Sequence, residues 1–368
     1  MAPYGTVTDM HDTTLKGLIL AAGLGTRLRP ITSLRPKPTI CVANKPLIHY
    51  AIDDLVDAGV REVGIVVSHD TIDHLQEAVE GYRDVRYTFV LQDPPKGLAH
   101  AVEVSRDFLG DDAFVMYLGD NLFEHGITPF VDTFRANDDA AAVLALVRVD
   151  DPRAFGVAVI EDGRITRLVE KPKDPPSDLA VAGVYVFDAR IHDAIEGLEP
   201  GAKGEYQITD AIARLIERGH TVLPQEVGGW WKDTGQADDI LDANRLELLS
   251  RRRLIEGTVE DSNLVGDVVV APGAIVRRST VFGPALIGAD ALVEDAYVGP
   301  FTSLGDGVRL RNAEVEYAVV GKRSEIDDVD ARIQGSLIGE DVVIKGASTR
   351  PSTHRLIVGD MSTLELQQ

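Results

Sequence analysis

The chain has 368 residues, 44% of them hydrophobic and 26% charged, enough for one large domain and a smaller one. Its formal net charge of −22 argues against a general nucleic-acid partner, which requires basic surface. No apolar run reaches the ~18 residues of a membrane helix, the polar stretch 1–14 lacks the regions of a secretory leader, and Cys41 is alone, so no internal disulfide forms and the cytoplasm is the expected compartment, with no membrane partner.

The first element is the apolar run Lys16 to Ala22, which ends at Gly23 as expected for a buried parallel strand. Next comes a glycine-rich loop: Gly23, Leu24, Gly25, Thr26, Arg27, Leu28, Arg29, Pro30. Glycines let the backbone approach a phosphate and aim amide donors at it. Arg27 adds a fixed positive fork. A dinucleotide fingerprint needs a third glycine where Leu28 stands, and a Walker loop needs a Gly-Lys-Ser/Thr run that is absent. From Leu15 to Ile52 there is no Asp or Glu, yet the stretch holds Lys16, Arg27, Arg29, Arg35, Lys37 and Lys45. In so acidic a chain this marks a local anion site.

Asn44 and Pro46 predict a helix start, and Gly59 its end. Strand Val63–Val67, helix Thr71–Glu80, strand Val85–Leu91, helix Leu98–Phe108 and strand Phe114–Leu118 follow, the last ending at Gly119 and Asp120. This alternation predicts a parallel sheet covered on both faces, with ligands at the carboxyl ends of the strands. Asp238–Ile255 predicts a helix joining two domains. From about Gly257 apolar residues recur almost every six positions, as Val270, Ile275, Val281, Ile287 and onward to Ile326. Such a hexapeptide repeat predicts a parallel β-helix, because a single coil cannot bury its own apolar row and must stack on its neighbours.

Further motifs stand in order. Gln92 precedes Lys96, Gly97 and Leu98; Leu118, Gly119, Asp120 and Asn121 are contiguous; Glu170, Lys171 and Pro172 follow. Then come Ala182 to Tyr185, Gly204 to Asp210, and Trp231 to Gly235. Taken singly, Asp120 reads as a turn cap, Glu170 with Lys171 as a solvated pair, and Trp230 with Trp231 as packing. Their order behind the glycine loop resembles the nucleotide-sugar pyrophosphorylase family over about residues 15 to 250. The added repeat resembles the long form of its glucose-1-phosphate thymidylyltransferase branch.

The resemblance implies an α/β fold: a Rossmann-like nucleotidyltransferase domain with a mixed, mainly parallel sheet over 15–250, followed by a left-handed parallel β-helix over 257–350. It implies a reaction between a nucleoside triphosphate, dTTP or UTP, and glucose 1-phosphate that releases pyrophosphate. Leu20, Ala22, Gly23, Gly25, Thr26, Gln92, Gly97 and Asp120 would bind the nucleotide. Asn121, Gly156, Glu170, Lys171, Val181 and Gly183 would line the sugar pocket. Arg27, Lys37 and Lys171 would be the catalytic cations, and Asp120 and Asp233 would hold Mg²⁺, which prefers carboxylates and phosphate oxygens. A homo-oligomer is expected.

Four readings stay open beside this one. The Gly97 and Asp120 segments serve a uridylyltransferase equally, and Lys37 followed by Pro38 is common in mannose-1-phosphate guanylyltransferases, where many thymidylyltransferases have Lys-Gln. Hexapeptide coils also occur in acyltransferases, but the only histidine after His220 is His354, beyond the last clear repeat. A non-catalytic assembly subunit sits poorly with the retention of Arg27, Lys37, Asp120, Lys171 and Asp233.

Overall fold

A computed structural model of the chain describes residues 15–23, 25–201 and 204–346. The polar stretch 1–14, Leu24 of the glycine loop, the expected repeat end at 347–350 and His354 lie outside the described residues. Contacts divide the described chain into two units. The first holds 15–22, Ala51–Ile72 and Gly81–Trp231; the second holds Gly23–Tyr50, Asp73–Glu80 and 232–346.

The first unit is built on nine strands: β1 (Lys16–Leu20), β2 (Glu62–Val67), β3 (Arg86–Leu91), β4 (Phe114–Leu118), β5 (Ala140–Arg148), β6 (Gly156–Glu161), β7 (Arg164–Glu170), β8 (Leu179–Phe187) and β9 (Thr221–Glu226). They lie in the order β7-β6-β8-β4-β1-β2-β3, with β5 joined to β8 and β9 to β5. β4, β1, β2 and β3 are mutually parallel, whereas β8 runs antiparallel to both β4 and β5, so the sheet is mixed as expected. The inner parallel strands β4, β1 and β2 are mostly apolar because both faces are covered: Leu18, Ile19, Val66, Val115 and Met116 are all fully buried. Among the described residues no helix is long and apolar enough to cross a membrane.

Three sequence expectations shift in the structure. The helix opened by Asn44 and Pro46 starts only at Leu47 and runs to Asp57, because Lys45–Pro46 pairs with Cys41–Val42 in a small hairpin. Ala43 and Asn44 at its tip have φ of 47° and 61°, the consecutive left-handed pair that a tight hairpin requires. The helix expected over Leu98–Phe108 is broken into Leu98–Val104 and Arg106–Leu109. Ser105 sits at the break and its hydroxyl donates to Ala101 O at 2.7 Å, a side-chain bond that competes with the helix. The joining helix is Ala237–Ser250, started by a capping box of Gln236 and Asp239, and Leu254–Ile255 is already a strand of the coils.

The coils of the second unit stack in parallel along three ladders, forming the expected parallel β-helix. From Thr258 to Val315 successive coils are 17 residues apart, as where Ser279 N donates to Ser262 Oγ and Ala296 N to Ser279 Oγ. That length spreads unevenly over three sides, so a strict count of six slips by one residue. The inward side chain is therefore Val276, fully buried, and not its half-buried neighbour Ile275. The other inward positions, from Val270 to Ile326, fall as expected and form one core.

Candidate active site

Within the first unit, the carboxyl ends of β1 and β4 lie side by side. Leu20 pairs with Leu118, and Gly119 N donates to Leu20 O at 3.1 Å. This carries Ala22 and Asp120 past the same edge of the sheet. Asp120 is half-buried and its Oδ1 accepts from Asn121 Nδ2 at 2.9 Å. Asn121 is 3% exposed, and its Oδ1 accepts from Trp231 Nε1 at 2.7 Å. Gly183 faces this pair: its φ is +73°, and a Cβ there would stand 2.6 Å from Asn121 Oδ1. Asp120, Asn121 and Gly183 are thus brought together, and Trp231 joins them. Taken singly in the sequence, Trp231 reads as packing; its indole does pack, edge-on to Phe155 at 5.5 Å, but its N–H also fixes Asn121.

The second group surrounds Glu170, which ends β7 opposite Gly156 at the start of β6. Glu170 Oε1 pairs with Lys171 Nζ at 2.9 Å, and Oε2 accepts from Thr209 Oγ1 at 3.1 Å. A Cβ on Gly156 would meet Thr209 Cγ2 at 2.9 Å, Glu170 Oε2 at 3.5 Å and Val181 Cγ2 at 3.7 Å. Gly156, Glu170, Lys171 and Val181 therefore form one wall. Thr209 is a member that sequence reasoning missed, although it lies in the ordered motif Gly204 to Asp210. Beside it, burial and the Glu170 carboxylate push the Asp210 carboxyl above its ordinary range.

The third group holds Gln92, 4% exposed, just past the end of β3. Its Nε2 donates to Gly97 O at 2.9 Å and lies 3.1 Å from His100 Nδ1. Because Gln92 Nε2 is a donor, this contact takes Nδ1 as the acceptor, and burial, which lowers the His100 pKa, favours the neutral ring that it requires. Both amide hydrogens of Gln92 are then engaged within the protein, leaving Oε1 as the atom it can offer a ligand. Gly97 has φ of +100°, and a Cβ there would stand 2.5 Å from Tyr206 O, so this crossing of two chain segments admits only glycine.

In the second unit the glycine loop is held from below. Gly25, with φ of +57°, would carry a Cβ 3.1 Å from both Lys37 Cβ and Thr32 Cγ2, and its carbonyl accepts from Thr32 Oγ1 at 2.8 Å. Leu28 is 3% exposed and pins the short turn Thr26–Leu28, while Gly23, Thr26 and Arg27 face solvent. Lys37 lies on a second short turn, Lys37–Thr39, and is only 8% exposed, with Nζ 3.9 Å from Asp233 Oδ1. The unit thus holds Gly25, Thr26, Arg27, Lys37 and Asp233: a glycine turn with two cations and, beside Lys37, a carboxylate.

Among the described residues no cluster of three or more His, Cys, Asp or Glu side chains gathers in metal-binding geometry. Asp120 in the first unit and Asp233 in the second are each carboxylates of the kind that hold a hard cation together with phosphate oxygens and water.

The first strand of the mixed sheet ends where the glycine-rich segment begins, and sheets of this kind take ligands at the carboxyl ends of their strands. The chain belongs to the nucleotidyl transferase family, whose model matches residues 16–249. It is similar to a glucose-1-phosphate thymidylyltransferase of Streptomyces antibioticus, 44% identical over 96% of this chain and 100% of that one. A crystal structure named for a glucose-1-phosphate thymidylyltransferase of Bacillus anthracis, in complex with a sucrose, is 36% identical with a TM-score of 0.59, covering 63% of this chain and 94% of that one. A UDP-glucose pyrophosphorylase complexed with UDP-glucose is 28% identical with a TM-score of 0.58, covering 64% of this chain and 99% of that one. Sugar nucleotidyltransferases generally use a divalent metal.

Proposed function

We propose that the chain is a glucose-1-phosphate thymidylyltransferase, making dTDP-glucose and pyrophosphate from dTTP and glucose 1-phosphate. One observation carries the reading above the rest: the likeness to the Streptomyces antibioticus enzyme spans 96% of this chain, coils included. Residues 15–250 are the proposed catalytic domain, and 257–350 the coils of a cytoplasmic homo-oligomer.

A phosphate oxygen of the sugar attacks the α-phosphorus of the triphosphate. A new P–O bond forms, the bond to the β-phosphate oxygen breaks, and pyrophosphate leaves. The attacking monoester has a second pKa of ~6, so it is already ionised near neutrality and no protein base is required. The protein's work is to overcome repulsion between anions and to hold an in-line geometry. Arg27, Lys37 and the amides near Gly23, Gly25 and Thr26 suit the triphosphate. Lys171 suits the sugar phosphate, moving from the Glu170 carboxylate that it pairs with at 2.9 Å. Glu170 accepts from sugar hydroxyls, and the backbone at Gly156, Val181 and Gly183 lines the sugar pocket. Mg²⁺ on Asp120 and Asp233 would neutralise phosphate charge when bound.

Gln92 supports a pyrimidine. With its Nε2 engaged, Oε1 accepts the N3–H that thymine and uracil share. The 5-methyl that separates them is one carbon, worth roughly 1 kcal/mol. The second reading, a uridylyltransferase, follows from that small margin and from the likeness to the UDP-glucose pyrophosphorylase. A pyrophosphate-release assay crossing ATP, CTP, GTP, UTP and dTTP with glucose, mannose, galactose and glucosamine 1-phosphates tests both. The expected best pair is dTTP with glucose 1-phosphate, UTP trailing by roughly tenfold or less. A purine triphosphate as best substrate would overturn the assignment of the base.

A further inference from the structure

The residues proposed for the triphosphate do not stand on the first unit's sheet. Gly23–Tyr50 groups with the coils. What joins them is a buried amide. Asn244, on the helix Ala237–Ser250, is fully buried and has both ends of its side chain engaged. Its Oδ1 accepts from Ala43 N at 2.9 Å and from Ser303 Oγ at 2.7 Å, and its Nδ2 donates to Phe301 O at 3.0 Å. One side chain therefore ties the tip of the Cys41–Pro46 hairpin to a coil of the β-helix. Asn44 adds a second tie, its Nδ2 donating to Leu304 O at 2.7 Å. Ala43 packs under these bonds against Leu248 and Leu286.

Beside this clamp the two parts leave space. A small cleft of about 60 Å³ is lined by Arg35, Thr39 and Cys41 on one side and by Lys322, Gly339 and Glu340 on the other. The Arg35–Glu340 ion pair, 3.0 Å long, crosses it with the arginine 45% exposed, so it is a weak strut. Next to it the buried amide adds directional bonds to the packing of Ala43 on Leu248 and Leu286. From the hairpin the constraint runs a short way. Ile40 O accepts from Leu47 N and Ile40 N donates to Lys37 O, each at 3.0 Å, and Lys37 Cβ lies against Gly25.

We infer that Asn244 is a positioning residue through which the β-helix sets the place of the triphosphate-binding segment, so that the coils serve the chemistry as well as assembly. The inference rests on the proposed function for the identity of that segment's ligand, and on geometry alone for the clamp. A polar side chain can hold such a register because each of its bonds is directional, and losing one partner leaves a buried group unsatisfied.

The test uses the full chain with Asn244→Ala and, as the milder change, Ser303→Ala, which removes one hydroxyl of the coil. Hydrogen exchange of residues 25–40 is followed without turnover, and steady-state kinetics are followed by pyrophosphate release. Faster exchange over 25–40 is expected in both variants, stronger in Asn244→Ala. The KM for dTTP should rise about tenfold in Asn244→Ala while the KM for glucose 1-phosphate stays within twofold. Unchanged exchange over 25–40, or an equal rise in both KM values, would overturn the inference. If Asn244→Ala does not fold, Ser303→Ala decides on the same readouts. A wild-type chain inactive with every triphosphate sinks the proposed function and leaves the exchange test of the clamp standing.

Discussion

Gly183→Ala is the most informative single change in the site. At φ of +73° an alanine costs roughly 1–2 kcal/mol from left-handed backbone alone. Its Cβ would also lie 2.6 Å from Asn121 Oδ1, well inside contact distance, so Asn121 must move. Moving it breaks the bond from Trp231 Nε1 and shifts the Nδ2 that donates to Asp120. A buried donor left unpaired costs about 1–3 kcal/mol, which brings the total to roughly 2–5 kcal/mol. Gly163→Ala supplies the control. It has nearly the same φ, +75°, in the turn between β6 and β7, but open space around the new carbon, so it bears only the backbone cost. Thermal unfolding and pyrophosphate release on both variants separate strain from misalignment. Gly183→Ala should be the less stable of the two and lose about 10–100-fold in kcat/KM, equivalent to ~1.4–2.8 kcal/mol, with Gly163→Ala near wild type in rate. If Gly183→Ala kept activity within ~3-fold and unfolded alongside Gly163→Ala, Asn121 would not be aligning Asp120 for catalysis.

Lys37→Met keeps the buried stem and removes the charge, so kcat/KM should drop tenfold or more with little change in Tm; survival within ~3-fold would remove Lys37 from the triphosphate. Asp120→Asn and Asp233→Asn should each weaken activity through metal affinity and recover in part with excess Mg²⁺ or Mn²⁺; a metal-dependence curve that does not move in one variant takes that carboxylate out of the site. Gln92→Ala should impair dTTP and UTP alike, since both lose the same acceptor for N3–H, and a loss confined to one of them contradicts that contact. Asp210, whose carboxyl is raised by burial and by Glu170, binds its proton more tightly folded than unfolded, so it lowers stability as pH climbs past the ordinary aspartate pKa. Asp210→Asn should therefore raise Tm near neutral pH, with the gain fading below about pH 4, and a constant difference across that range would refute the assignment.

Local pattern settles much of this protein from its sequence. Phe114–Leu118 reads as a strand because an unbroken apolar run between turn residues has few other places to go, and the strand has those bounds. The coils are legible because their period repeats, and the glycine loop because its residues are contiguous. Pairings between distant residues decided the rest. Ile275 and Val276 are equally apolar, and only the closing of a 17-residue coil selects which one points inward. Thr209 reaches Glu170 across 39 residues, and the engagement of both Gln92 amide hydrogens depends on where His100 and Gly97 fall around it. The grouping of the glycine loop with the coils is the largest such decision. Its ties include Asn244 meeting Ala43 at a separation of 201 residues, and Asn44 meeting Leu304 at 260. Nothing in the neighbourhood of either asparagine encodes its partner, because a hydrogen bond of that span is chosen by the packing of every element between its ends.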